Sequence, residues 1–266
     1  MATVFAVFAI LLYTLSSFRQ YQAISAGTPK HRQQVLGLGS AAVVCHGIAW
    51  FSQLSNAHGL DFSFFNVGSL ISLVIATMLV LSALKKPLEN LLVGVFPMSA
   101  LIILLSLILP TSQKSLGIID QGITSHIILS IMAYSVLTIA AFQAVLLIVQ
   151  DRQLKHKHMT GIMRVLPPLQ TMDRLLFEML SVGSILLTLS IASGFLFIND
   201  VFAQHLAHKT AFTILAWCTF IVLLLGHWRF GWRGKVASKW TLVGASFLIL
   251  AYFGSKFVLE IVLHKA

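Results

Sequence analysis

Apolar residues dominate eight long runs, separated by short polar breaks: about Thr3–Phe18, Val35–Leu54, Val67–Leu84, Leu91–Leu109, Ile123–Val149, Phe177–Ile198, Thr210–Phe230 and Lys239–Leu263. A hydrocarbon layer of ~30 Å takes roughly 20 mostly apolar residues per spanning helix. Within lipid the backbone must satisfy its own hydrogen bonds, which leaves helices or closed barrels. These runs are too long and too continuously apolar for the alternating strands of a barrel. The pattern predicts an all-α polytopic membrane protein, a bundle of eight transmembrane helices forming a single integral membrane domain over residues 1–266. No basic residue precedes the first run and Arg19 follows it, the wrong order for a cleaved signal peptide, so the run reads as a retained helix.

Composition supports the same picture: 58% of residues are hydrophobic and 10% charged. The formal net charge of +10 could suggest nucleic acid, but its distribution argues against that. Arg19, Lys30, Arg32, Lys85, Lys86, Arg152, Lys155, Lys157, Arg164, Arg174, Arg229, Arg233, Lys235 and Lys239 all fall in alternate loops, leaving only Lys114, Lys209, Lys256 and Lys265 elsewhere. Positive-inside asymmetry makes those loops cytoplasmic and places both termini outside. The lipid bilayer is then the expected partner, and nucleic acid is not. Cys45 and Cys218 both lie within spans and form no CxxC pair, which argues against a thiol relay or a cysteine zinc site. There is no P-loop, no GxGxxG after a strand, no HExxH and no nucleophile elbow. No nucleophile–base pair can be placed, so an enzyme is not expected.

Polar residues inside the spans carry what chemistry there is. His126, Ser130, Tyr134 and Thr138 recur every four residues in the fifth span. Residues four apart share a helix face, and such a face should turn toward the bundle interior. Tyr252, Lys256, Glu260 and His264 repeat the pattern in the last span. His46 sits well inside the second span, and His227 near the cytoplasmic end of the seventh. Ionisable groups at membrane depth are costly and point to function by default; neutral imidazole is also the commonest transition-metal ligand. Blander readings stand beside these. His46 could be a helix–helix hydrogen-bonder. His227, with Trp228, Arg229, Trp232 and Arg233, fits an interfacial anchoring belt. His264 could snorkel, and Glu260 could simply neutralise Lys256.

Several stretches resemble the cytochrome c assembly superfamily, the haem-handling proteins of CcsA and CcmC type. "SHIILSIMAYSVLTIAAFQAVLLIVQDRQLK" is similar to that family's external-histidine helix. "GHWRFGWRGKVASKWTLVGASFLILAYFGSKFVLEIVLH" looks like its last two helices, with a histidine closing one span, a Gly-Trp-Arg-Gly turn, and a second histidine near the outer end. "FSFFNVGSLISL" is similar to an earlier helix start in the same family. Residues 123–264 form the family-like core, preceded by N-terminal helices over 1–110, and the chain looks like the YpjD-like, HemX-related branch of bacterial inner-membrane proteins.

The resemblance implies location in the bacterial inner membrane with periplasmic termini, and haem as cofactor. Its iron would be held axially by His126 and His264, with His227 supporting a second, membrane-buried position. His46 is added from its position alone. Tyr134 would brace the pocket and Glu260 would orient His264. Other membrane assembly proteins are implied as partners. One departure counts the other way. The family's WGxxWxWDP-type loop corresponds here to "INDVFAQHLAHKTAF", which has no Trp and no Asp-Pro, leaving Phe202, His205, His208 and Lys209. The alternative function is therefore a membrane scaffold or assembly factor that keeps the fold without transferring haem.

Overall fold

The computed structural model describes residues 2–26, 32–56, 60–61, 64–109, 115–116, 121–155, 166–197 and 204–254. Its helices are α1 (Ala2–Ala26), α2 (Arg32–Asn56), α3 (Phe64–Lys85), α4 (Leu92–Ile108), α5 (Gln121–Lys155), α6 (Leu169–Phe197), α7 (Gln204–Phe230) and α8 (Gly234–Ile249). A short 3-10 turn, Glu89–Leu91, leads into α4, and a π-helical turn, Leu250–Gly254, continues α8. Seven of the described helices are long and apolar enough to cross a membrane. The remainder of the expected eighth span, with Lys256, Glu260 and His264, lies outside the described residues.

The helices overrun the apolar runs that announce them. α5 extends from Gln121 to Lys155, about 52 Å at 1.5 Å per residue, against an expected Ile123–Val149. α6 starts at Leu169 rather than Phe177. Hydropathy marks where lipid begins, whereas helical hydrogen bonding carries on through polar, basic sequence at the interface. Part of the expected loop from Gln150 to Met172 is consequently helix.

The chain divides into two compact units. In the first, formed by residues 1–117 and 152–167, α1 packs on α2 and α4, and α3 packs on both α2 and α4. The inward face of α1 is polar: Tyr13, Ser16, Ser17 and Gln20 are all buried. Each finds a partner on another helix or turn. Ser16 Oγ donates to the Val35 carbonyl at 2.8 Å, Ser17 Oγ to the Val93 carbonyl at 3.3 Å, and Gln20 Nε2 to Asn90 Oδ1 at 2.8 Å. Arg32 ties the start of α2 to the end of α3 through the Ala83 carbonyl at 2.6 Å, and lies 3.6 Å from Glu89. Lipid tails are as apolar as leucine, so hydrophobicity does not drive helices together in a membrane; close packing and such bonds do. A two-residue antiparallel pairing, Leu60–Asp61 with Ser115–Leu116, joins two loops of this unit.

The second unit comprises residues 118–151 and 168–266. Gly183 of α6 lets α5 come close, since a Cβ there would sit 2.6 Å from the Leu137 side chain. Gln143 Nε2 of α5 donates to the Met172 carbonyl at 3.0 Å, and Trp217 Nε1 of α7 donates to Thr188 Oγ1 of α6 at 2.8 Å. α6 therefore lies beside both α5 and α7.

Candidate functional site

Four-residue spacing on α5 brings His126, Ser130 and Tyr134 to neighbouring elements, while Thr138 Oγ1 donates back to the Tyr134 carbonyl of its own helix at 2.7 Å. His126 Nδ1 lies 2.9 Å from the Ser190 carbonyl and 3.2 Å from Ser193 Oγ, both on α6. A carbonyl oxygen only accepts, so Nδ1 carries the proton and donates it. In the neutral ring Nε2 then holds a bare lone pair. Ser130 Oγ is 3.5 Å from Nε2 but 2.7 Å from both the His126 carbonyl and Ser190 Oγ, so its strong bonds lie elsewhere. Gly194 leaves room for the ring: a Cβ there would stand 3.0 Å from His126 Cε1. Two turns along α5, the Tyr134 ring meets the Tyr252 ring edge-on at 6.1 Å, and the Lys209 ammonium lies 5.1 Å from the Tyr252 ring centre.

His227 repeats the arrangement at the other end of α6. Its Nδ1 donates to the Trp232 carbonyl at 2.8 Å, and its ring lies flat on Phe177 with centroids 3.6 Å apart and planes 19° from parallel. The turn that brings the carbonyl back is a left-handed helix cap. Gly231 has φ of 66°, and its N–H reaches the His227 carbonyl at 3.1 Å. Trp232 folds over Gly226, where a Cβ would come within 2.3 Å of the indole, and stacks on Trp240 at 6.0 Å. Trp228, 84% exposed, points away from the unit. The Trp and Arg residues and the held imidazole thus share one stretch of chain.

The two sites are separate. His126 meets α6 at Ser190 and His227 meets it at Phe177, 13 residues apart on one helix, or about 20 Å. One iron cannot take both rings.

His46 sits differently. It is 1% exposed, and hydroxyls cover both of its nitrogens: Ser69 Oγ at 2.9 Å from Nε2 and Tyr13 OH at a long 3.4 Å from Nδ1. The Tyr13 ring meets the imidazole edge-on and packs on Phe96 at 4.8 Å. α1, α2 and α3 are joined through this one side chain. Tyr13 and Ser69 are partners that sequence reading missed; the polar positions in "YTLSSFRQ" and in "NVGSLIS" were the available signals.

His264 and Glu260 lie outside the described residues, as do Phe202 and the other residues over 198–203. Among the described residues, no group of three or more His, Cys, Asp or Glu side chains could hold a metal ion directly.

Membrane-crossing helices, with imidazoles held on main-chain carbonyls at both ends of one of them, define a multi-pass helical membrane protein. The sequence family described as cytochrome C assembly protein matches residues 36–263. The chain is 32% identical to the inner membrane protein YpjD of Escherichia coli over 261 residues, 97% of this chain and 99% of that one. It is 33% identical over 140 residues, 52% of each chain, to an uncharacterized 28.8 kDa protein of Azospirillum brasilense. No solved structure matches it significantly. The chain belongs to the cytochrome c assembly protein family and is a multi-pass inner-membrane protein.

Proposed function

We propose that this protein binds haem and handles it in connection with c-type cytochrome assembly, with both termini in the periplasm and the last helix completing an eighth span. The observation that carries the reading is the state of His126. Its Nδ1 proton is committed to a carbonyl, which fixes the ring and leaves Nε2 bare, as iron-ligating imidazoles require. The residues fit the cofactor in that respect. His126 and His264 would hold the iron at the periplasmic end, and His227, held the same way, would hold haem at the cytoplasmic end. Bound haem would supply the iron chemistry. The chain's own part is to orient imidazoles, cover the macrocycle with apolar helix surface and exclude water, without making or breaking bonds itself. Tyr134 and Tyr252 would supply aromatic wall two turns further along α5 than His126, and Glu260 would orient His264. His46 falls outside the ligand set, because both of its nitrogens already have partners.

The test is an absorption spectrum of the purified chain after expression with ample haem. A Soret band that His126→Ala or His264→Ala weakens is expected. A colourless protein under those conditions sinks the reading. One observation favours a second function: "INDVFAQHLAHKTAF" lacks the tryptophans that present haem in the family's well-defined haem handlers. A scaffold that keeps the fold and binds another membrane protein would capture a stoichiometric partner in mild detergent, and histidine substitutions would not disturb the capture.

A further inference from the structure

Asp173 stands in the first turns of α6, four residues before Phe177 and on the same face of the helix. Its Oδ1 accepts the Gly234 main-chain N–H at 2.9 Å. Gly234 opens α8, and the residue before it, Arg233, is extended at φ −148° and provides no side-chain cap. The first N–H groups of any helix lack partners within it, and a carboxylate beside them also faces the positive end of the helix dipole. Here the acceptor comes from another helix. The bond therefore closes the first turn of α8 and at the same time fixes how the turn between α7 and α8 lies against α6. That turn carries the Trp232 carbonyl to which His227 Nδ1 donates. One helical turn further along α6, Phe177 lies flat on the same imidazole. Asp173 holds the turn and Phe177 holds the ring, so one face of α6 grips both halves of a single assembly.

We infer that Asp173 is a positioning residue for His227: through the Gly234 N–H it keeps the Trp232 carbonyl in place, and with it the Nδ1–H tautomer and the bare Nε2. The consequence for haem rests on the proposed function above; the consequence for the ring does not. Gly231 and Gly234, with φ of 66° and 53°, give the turn its left-handed corners. Those corners let the chain reverse, and the Trp232 N–H on the Gly226 carbonyl at 3.2 Å ties the turn back to α7, but neither says where the turn docks on α6. The carboxylate does. If Asp173 only capped α8, its loss would lower stability and leave the tautomer of His227 unchanged.

The experiment uses the full chain in detergent with isotope-labelled histidine, and reads the ring nitrogens of His227 by NMR, assigned through His227→Gln. A single tautomer with a bare Nε2 is expected for the unsubstituted chain. Asp173→Ala should give mixed tautomers at His227 while the His126 signals stay as they were. It should also weaken haem binding about tenfold in the part of the Soret band that His227→Gln removes. Asp173→Asn keeps an oxygen for Gly234 and should restore the single tautomer. An unchanged tautomer in Asp173→Ala overturns the inference, and so does an equal change in Asp173→Asn. Should Asp173→Ala lose the fold, Asp173→Ser decides by the same criteria, its hydroxyl being too short to reach. A chain that takes up no haem, yet whose His227 tautomer follows Asp173, ends the haem reading and leaves the positioning intact. A Soret band with a tautomer indifferent to Asp173 does the reverse.

Discussion

His46 in the first unit and His126 in the second are both imidazoles within apolar helices, and their surroundings treat them in opposite ways. Side-chain hydroxyls from α1 and α3 engage both nitrogens of His46. His126 is anchored through Nδ1 on a main-chain carbonyl, which leaves Nε2 with only a distant hydroxyl. His227 follows the second pattern. A hydroxyl can donate or accept, so it satisfies whichever nitrogen it faces; a carbonyl can only accept, and so dictates the tautomer. The first arrangement ties helices together. The second leaves the other ring nitrogen with an unprotonated lone pair, the form a metal ligand needs. The identity of the partner atoms separates the two.

That contrast can be broken most forcefully at His46. Substituting His46→Ala removes a fully buried ring and strands the Tyr13 and Ser69 hydroxyls, so unfolding in detergent should show a loss of about 3 kcal/mol. Haem bound per folded molecule should stay constant. A loss of haem without a loss of stability would place His46 among the ligands after all. Next in size is Gly226→Ala. The new methyl would meet the Trp232 indole at 2.3 Å, forcing the ring and its carbonyl away from His227 at a cost of about 1–3 kcal/mol. The His227-dependent part of the haem spectrum should fall with it, and an unperturbed spectrum would show that the turn does not hold the imidazole. Smallest is Ser193→Ala. His126 retains the Ser190 carbonyl, so titration with haem should show about a threefold change at most, matching an interhelical bond worth about 0.6 kcal/mol. A collapse of binding there would mean that the hydroxyl, not the carbonyl, fixes the ring.

The spans were legible because a bilayer demands long apolar runs whatever lies beneath, and so was the α5 stripe, because spacing by four survives in any helix. Partners were another matter. Ser190 and Ser193 sit among other small residues of α6 without a distinctive period. Tyr13 and Ser69 lie 33 and 23 residues from His46, on other helices. Asp173 and Phe177 look in sequence like the start of an amphipathic helix, and only docking of the α7–α8 turn shows what they hold. The spacing of the final stripe predicts a regular α-helix, whereas the described part of it, at Tyr252, lies in a π-helical turn. Periodicity reveals which face is polar; it does not reveal which atom the face will meet.

The most direct measurement of the account is the Soret absorbance per folded molecule across four chains purified from haem-replete cells: unsubstituted, His126→Ala, His227→Ala and His46→Gln. A band is expected in the first, a weaker band in the second and third, and an undiminished band in the fourth. No band in any of them, or a band that only His46→Gln removes, would contradict it.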